Sequence, residues 1–232
     1  MKLRRADVAR MIDLSAVRAG DDEARIHLLA ETARRYGCVI ATTLPTHTPL
    51  LARLLADTPG TGVSGNVGFP AGSSSTALKV AETRELLAAG CDEIDMVMNI
   101  GLHRSGHHRR VADDIRAVVD AAGKVPVKVI LECHHLDDEQ IRTACGLCVE
   151  AGAAFVKTGT GWTPTGATLE NVALIRSCVG AAVAIKASGG IRGIDTLAEM
   201  HRRGARRFGI GLDSVARLFE QLDDLHGGAI DG

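Results

Sequence analysis

The chain has 232 residues, enough for one large α/β domain or two small ones. With 46% hydrophobic and 24% charged residues it can fill a globular core, and only 3% of it is aromatic. A formal net charge of −1 gives no reason to expect nucleic acid or an anionic membrane as partner. No apolar run nears the ~20 residues of a bilayer span, and the basic start Met1-Lys2-Leu3-Arg4-Arg5 leads into no hydrophobic signal segment. The expectation is a soluble, cytoplasmic protein.

Strand and helix patterns then alternate from end to end. A short strand is expected over 11–13, then a helix over 21–36 that opens on acidic residues, as helix starts prefer. A strand over 38–42 precedes a helix over 46–55, and a strand over 62–68 runs into the turn Phe69-Pro70-Ala71-Gly72. The helix over 76–89 ends at Gly90, the strand over 93–98 follows, and the helix over 109–122 ends at Gly123. Strands over 127–132, 154–158, 183–187 and 207–210 alternate with helices over 138–151, 169–178, 194–203 and 213–222. Eight strand–helix units in this length predict a single-domain α/β fold over 1–226, a (β/α)₈ barrel. Residues 227–232 read as a loose tail. A doubly wound sheet uses the same alternation, but the glycine-rich stretches 159–166 and 189–193 lack the G-x-G-x-x-G spacing and do not follow the first strand.

The six cysteines are scattered. Cys145 and Cys148 have redox-motif spacing but fall mid-helix, away from the helix start that would lower a thiol pKa, so they read as buried reduced thiols.

Three lysines carry the chemistry. Lys128, Lys157 and Lys186 each lie inside an apolar run, and each is 29 residues from the next. A lysine in such a run is costly, because its charge must leave bulk water. In a barrel, catalytic groups cluster at the carboxyl ends of the strands, so these side chains could stand in one row. Asp95 holds the matching place on the preceding strand, and Asp13 and Ser15 sit near the end of the first. Crowding and burial both push a lysine toward a neutral amine, the nucleophile that forms a Schiff base with a carbonyl. The competing reading is that one or two of these lysines only make buried ion pairs with Asp95 or Glu132.

From about Asp13 to Leu218 the chain resembles the 2-deoxyribose-5-phosphate aldolases. The resemblance rests on Phe155-Val156-Lys157-Thr158-Gly159-Thr160-Gly161, on Ile185-Lys186-Ala187-Ser188-Gly189-Gly190-Ile191-Arg192, and on Asp92-Glu93-Ile94-Asp95-Met96-Val97. The segments around Lys128 and Gly68 are also similar. The resemblance implies a cofactor-free, metal-free class I aldolase that reversibly splits 2-deoxyribose 5-phosphate into acetaldehyde and glyceraldehyde 3-phosphate or a related aldehyde, often as a homodimer. Lys157 would form the imine, Lys186 would keep the pKa of Lys157 low, and Asp95 with Lys186 and a water would move protons. Lys128, Asp13, Ser15, Thr42, Thr158, Gly161, Gly189, Gly190, Arg192 and Gly211 complete the expected substrate-contacting set.

The substrate end departs from the family. Gly159 stands where a serine is usual, Thr42 where many members have a cysteine, and Gly209-Ile210-Gly211-Leu212-Asp213 replaces a Gly-x-Ser-Ser phosphate loop. Asp213 is expected to cap the last helix and repel a phosphate, which implies weak phosphate binding or another carbonyl substrate in specialised metabolism. Trp162 reads as rim packing or a substrate platform. Two other functions compete: a zinc enzyme using Glu132, Cys133, His134 and His135 or His103, His107 and His108, and a barrel that binds without catalysis.

Overall fold

The computed structural model describes residues 2–225 and 228–232. From the amino end the elements are β1 (Lys2–Arg4), α1 (Arg5–Ala9), β2 (Ile12–Ala16), α2 (Glu23–Tyr36), β3 (Ile40–Thr43), α3 (Thr48–Leu55) and β4 (Gly62–Val67). Next come α4 (Thr76–Ala88), β5 (Glu93–Val97), α5 (Ile100–Arg104), α6 (His108–Ala122), β6 (Val127–Ile130) and α7 (Asp138–Glu150). The chain ends with β7 (Phe155–Lys157), α8 (Leu169–Val179), β8 (Ala184–Ser188), α9 (Ile194–Arg202), β9 (Arg207–Gly211), α10 (Leu212–Asp223) and β10 (Ala229–Asp231). Strands β2 to β9 pair in chain order, all parallel, and β9 closes on β2. This is the (β/α)₈ barrel that the alternation predicts.

Local chemistry sets the helix boundaries. Asp22, Ser75, Asp137 and Thr168 each accept a backbone N–H from the first turn of α2, α4, α7 and α8. Gly37, left-handed at φ 70°, terminates α2. The first barrel strand runs on to Ala16, past the predicted 13, which places Ser15 inside it. Pro45 opens a single 3₁₀ turn, so the following helix begins at Thr48 rather than 46. The loose tail expected over 227–232 is corrected from Ala229 onward: β10 pairs antiparallel with β1, with Leu3 opposite Ile230. Leu3 is buried and Ile230 partly so, and covering that apolar pair holds the strand in place.

A strand sends alternate side chains to opposite faces. On the outer face, Leu14, Ala41, Ile94, Met96, Val129, Val156, Ile185 and Phe208 pack beneath the helices and are essentially inaccessible. Each fully buried aliphatic side chain of this layer contributes about 1.5–3 kcal/mol. The alternate, inward set is largely polar: Asp13, Thr42, Ser64, Asn66, Asp95, Lys128, Lys157, Lys186 and Arg207. The barrel's apolar core therefore lies between sheet and helices, and its axis carries charge.

Candidate active site

Asp95 is the hub of that axis. Its Oδ2 lies 2.7 Å from Lys157 Nζ and 2.7 Å from Lys186 Nζ, while Oδ1 lies 2.6 Å from Lys128 Nζ and accepts from Ser64 Oγ at 2.9 Å. Asp13 Oδ2 forms a second ion pair with Lys186 at 2.5 Å, and Asp13 Oδ1 takes Arg207 at 2.6 Å. Burial acts to raise both carboxyls, but the surrounding cations prevail. Asp95 is held well below its usual range by Lys128, Lys157 and Lys186, and Asp13 falls to about 2 beside Lys186, Lys128 and Arg207.

The lysines do not share one environment. Lys157 and Lys186 are register partners on β7 and β8, as a single row requires. Lys128 pairs instead with Phe155, one pleat below Lys157. Its amine meets Asp95 and Glu93 at 2.6 Å each and is completely buried, and those carboxylates hold it above the ordinary lysine range against the pull of burial. Lys128 is thus a counter-ion beneath the site, a correction to its expected place among substrate contacts. Lys157 is 4% exposed, and burial, reinforced by Lys186 and Lys128 against the opposing pull of Asp95, brings it down to about 8.

Above Lys157 and Lys186 lies a small cavity with about 20 Å³ of free volume, room for a water molecule. Asp13, Ser15, Thr42, Asn66, Phe69 and Thr160 also line it. Thr42 is fixed there by donating to the Ser64 carbonyl at 2.8 Å and accepting from Asn66 Nδ2 at 2.9 Å. The cavity shares Ser15, Thr160, Ser188 and Gly209 with a neighbouring cleft of about 360 Å³. Gly161, Gly189, Gly190, Arg192 and Gly211 line this cleft. Thr158 does not: its hydroxyl donates to the Ser188 carbonyl and accepts the Ser188 N–H, both at 2.9 Å, so it pins β7 to β8.

Asp213 needs correction too. The residue preceding α10 is Gly211, no side chain caps that helix, and Asp213 lies inside the first turn. From there its carboxylate reaches across to Arg25 at 2.5 Å, so it neither fills the helix N–H groups nor stands as a free negative charge. Arg18 and Arg25 on the loop and helix after β2, and Ser214 on α10, line the cleft without having been expected there. Polar loop residues carry no periodic signal that could have marked them. Trp162 is rim packing. It stands edge-on to Phe69 at 5.9 Å, donates its ring N–H to the Val17 carbonyl at 2.8 Å, and carries the Arg18 guanidinium 5.7 Å above its ring.

A serine at position 159 would require the Glu132 carboxylate to shift. A Cβ on Gly159 would stand 2.6 Å from Glu132 Oε1. Glu132, at φ 54°, accepts the Thr160 N–H and hydroxyl and the Thr163 hydroxyl, which ties the loop after Lys157 to the end of β6. Two of the histidines put forward for zinc are engaged elsewhere: His103 Nε2 lies 2.9 Å from the Gln140 carbonyl, and His134 Nδ1 lies 2.5 Å from Thr165 Oγ1. Among the described residues no group of three or more His, Cys, Asp or Glu side chains is placed to hold a metal ion. The Cys148 thiol, buried within α7, is pushed up to about 12 by burial, away from redox reactivity.

A parallel barrel whose axis carries paired amines and carboxylates is suited to lyase chemistry of the aldolase kind, and comparison with known proteins puts this chain in that class. It belongs to the DeoC/LacD family of aldolases, whose sequence model matches residues 27–214. A deoxyribose-phosphate aldolase of Sinorhizobium medicae (strain WSM419) is 49% identical over 225 residues, 97% of this chain and 91% of the relative. One from Klebsiella pneumoniae subsp. pneumoniae is 45% identical over 218 residues, covering 93% and 87%. The tetrameric deoxyribose phosphate aldolase structure from Aeropyrum pernix superposes with a TM-score of 0.87 at 28% identity, covering 96% of this chain and 93% of that one.

Proposed function

We propose that the protein is a class I, Schiff-base aldolase that reversibly cleaves 2-deoxyribose 5-phosphate to acetaldehyde and glyceraldehyde 3-phosphate. One observation carries the reading: the Lys157 amine, brought down to about 8 so that a reactive neutral fraction exists near physiological pH, lines a cavity that shares its wall with a cleft bearing Arg18, Arg25 and Arg192. Neutral Lys157 attacks the carbonyl carbon, and the carbinolamine loses water to give a protonated imine. That cation takes up the electron pair released when the C–C bond breaks, so the step needs neither metal nor organic cofactor. The resulting enamine is protonated on carbon, and hydrolysis frees acetaldehyde and the amine. Asp95, within reach of both Lys157 and Lys186, and a water in the cavity supply and remove the protons.

The small cavity beside Lys157 leaves room for a water, and the larger cleft suits the phosphorylated end of the substrate. Arginine guanidiniums, the glycine backbone at 189–190 and the uncapped start of α10 are the groups that hold a phosphate. Asp213 pairs with Arg25 instead of capping α10, which leaves the helix N–H groups open to a phosphate, although the serine hydroxyls of the family's loop are absent. We place the protein in the cytoplasm as a homo-oligomer, a state supported by the tetrameric A. pernix relative. Among the described residues no helix is long and apolar enough to cross a membrane.

The deciding experiment is borohydride trapping with acetaldehyde, followed by peptide mass mapping. A reduced adduct on Lys157 is expected, whereas no adduct with any of a panel of aldehydes would leave a binding protein. Side-by-side assays of phosphorylated and unphosphorylated deoxyribose should give a kcat/KM ratio of about 100-fold or more for the phosphate ester. Equal rates would move the assignment to a neutral substrate. Activity should survive prolonged dialysis against a chelator, since the imine is the electron sink; loss restored by zinc would refute that.

The pH profile follows from Lys157. Below about 8 its amine is an ammonium and not a nucleophile, and above about 8 it is neutral. The log of kcat/KM should rise by about one per pH unit below that value and level off above it. A plateau extending down to pH 6 would contradict the assignment.

A further inference from the structure

The buried axis is not charge-balanced. Its cations are Lys128 on β6, Lys157 on β7, Lys186 on β8 and Arg207 on β9; its anions are Asp13 on β2 and Glu93 and Asp95 on β5. Four positive groups face three carboxylates, a net excess of one. Glu132, at the end of β6, turns its carboxylate onto Thr160 and Thr163 and does not join them. Expelling one proton brings the set to neutrality. Of the three lysines only Lys157 relies on a single carboxylate, Asp95 at 2.7 Å, whereas Lys186 has Asp13 and Asp95, and Lys128 has Asp13, Glu93 and Asp95. Lys157 is therefore the member that gives up its proton.

The far end of this ladder lies away from the chemistry. Arg207 Nη2 meets Glu93 Oε1 at 2.5 Å, and its Nη1 meets Asp13 Oδ1 at 2.6 Å. Arg207 and Lys128 also flank the Phe155 ring, at 5.6 and 6.0 Å from its centroid. Neither Glu93 nor Arg207 lines the cavity or the cleft. We infer that Glu93 and Arg207 are positioning residues that govern how readily Lys157 releases its proton, acting through the chain of ion pairs that runs by Asp13, Lys128 and Asp95. The inference rests on the Schiff-base reading, because it concerns the nucleophile that reading assigns. A purely structural pair would hold the strands together and leave the charge of Lys157 alone.

The two residues should act in opposite directions. Arg207→Gln leaves three cations against three anions with Lys157 protonated, so the proton is retained to higher pH. Glu93→Gln leaves four cations against two anions, so the proton departs at lower pH. The double variant restores the original excess of one. Interaction over this range in a protein interior amounts to about one pH unit.

The test measures the rate of borohydride-trapped adduct formation at Lys157 with acetaldehyde between pH 5.5 and 10. Wild type, Arg207→Gln, Glu93→Gln, the double variant and Arg207→Lys are compared after a circular-dichroism check of folding. The midpoint should rise by about one unit in Arg207→Gln, fall by about one in Glu93→Gln, and lie near wild type in the other two. Arg207→Met and Glu93→Leu make the same charge changes with packed apolar side chains and replace any glutamine variant that does not fold. Unmoved midpoints, or shifts of one sign in both single variants, overturn the inference while leaving imine chemistry intact. No adduct in wild type at any pH removes the Schiff-base reading, and the inference with it.

Discussion

Lys157→Met should abolish aldol cleavage, with kcat reduced about 10⁴-fold or more, and should remove the borohydride-reducible adduct. No neighbouring amine can replace it. Lys186 and Lys128 lie close by, but each is bound by two or more carboxylates and shares Asp95 with Lys157. The same change should stabilise the fold. In the unfolded chain Lys157 titrates at its ordinary 10.5, whereas in the barrel burial brings it down to about 8. Below pH 8 the lysine is protonated in both states, and keeping that charge in the folded state costs about 3 kcal/mol. Methionine removes the cost. At pH 7 the variant's Tm should exceed wild type by about 6–12 °C, and the gain should shrink as pH rises from 8 toward 10.5. Calorimetry and a coupled aldehyde assay read the two effects. An inactive variant that is also less stable would mean that Lys157 serves structure.

Loss of function with gain of stability belongs to a site whose cost the rest of the fold offsets, and such sites are where a sequence can be read. Lysines 128, 157 and 186 stood out because charge inside an apolar strand contradicts the local pattern. Arg207, opening β9, and Glu93, opening β5, break the pattern in the same way and face the same interior. They were legible on that rule, but each sits at the first residue of its strand, where a charge reads as a solvated boundary. Arg18, Arg25 and Ser214 were not legible. Their place in the cleft depends on how loops close over the strand ends, and no spacing in the chain encodes that. Asp213 was misread for a local reason: helix α10 begins at Leu212, one residue before the expected start, which takes the carboxylate out of the capping position. The barrel itself was plain because its signal repeats in every strand–helix unit. Element ends shifted by a residue or more wherever a cap or a 3₁₀ turn, not periodicity, set the boundary.

Asp95→Asn should be the second severe substitution, and its signature is the reverse of the first. The carboxylate accepts from Lys128, Lys157 and Lys186 at 2.6–2.7 Å, and an amide offers them no compensating charge. Lys157 then has no carboxylate partner, while Lys186 keeps Asp13 and Lys128 keeps Asp13 and Glu93, and removing one partner from such a set costs about 3–5 kcal/mol. Stability at pH 7 should fall by that order in urea titrations. The loss should diminish at alkaline pH, where the lysines can discharge instead of remaining unpaired. On the acid side the sign is fixed by Asp95 itself. Its folded pKa lies well below the unfolded 3.8, so its contribution is complete above about 4 and is lost as pH falls further. The variant should lack that component of the acid slope. Catalytically, the imine should still form, because Lys157 keeps its amine and loses an anion that favours the protonated state. Turnover should nonetheless fall about 10²–10⁴-fold, since the group proposed to move protons between amine, water and enamine is gone. Adduct retained, kcat lost and stability lowered would separate proton transfer from nucleophilic attack. Wild-type turnover in a folded Asp95→Asn enzyme would transfer the proton-moving role to Lys186 and its water alone.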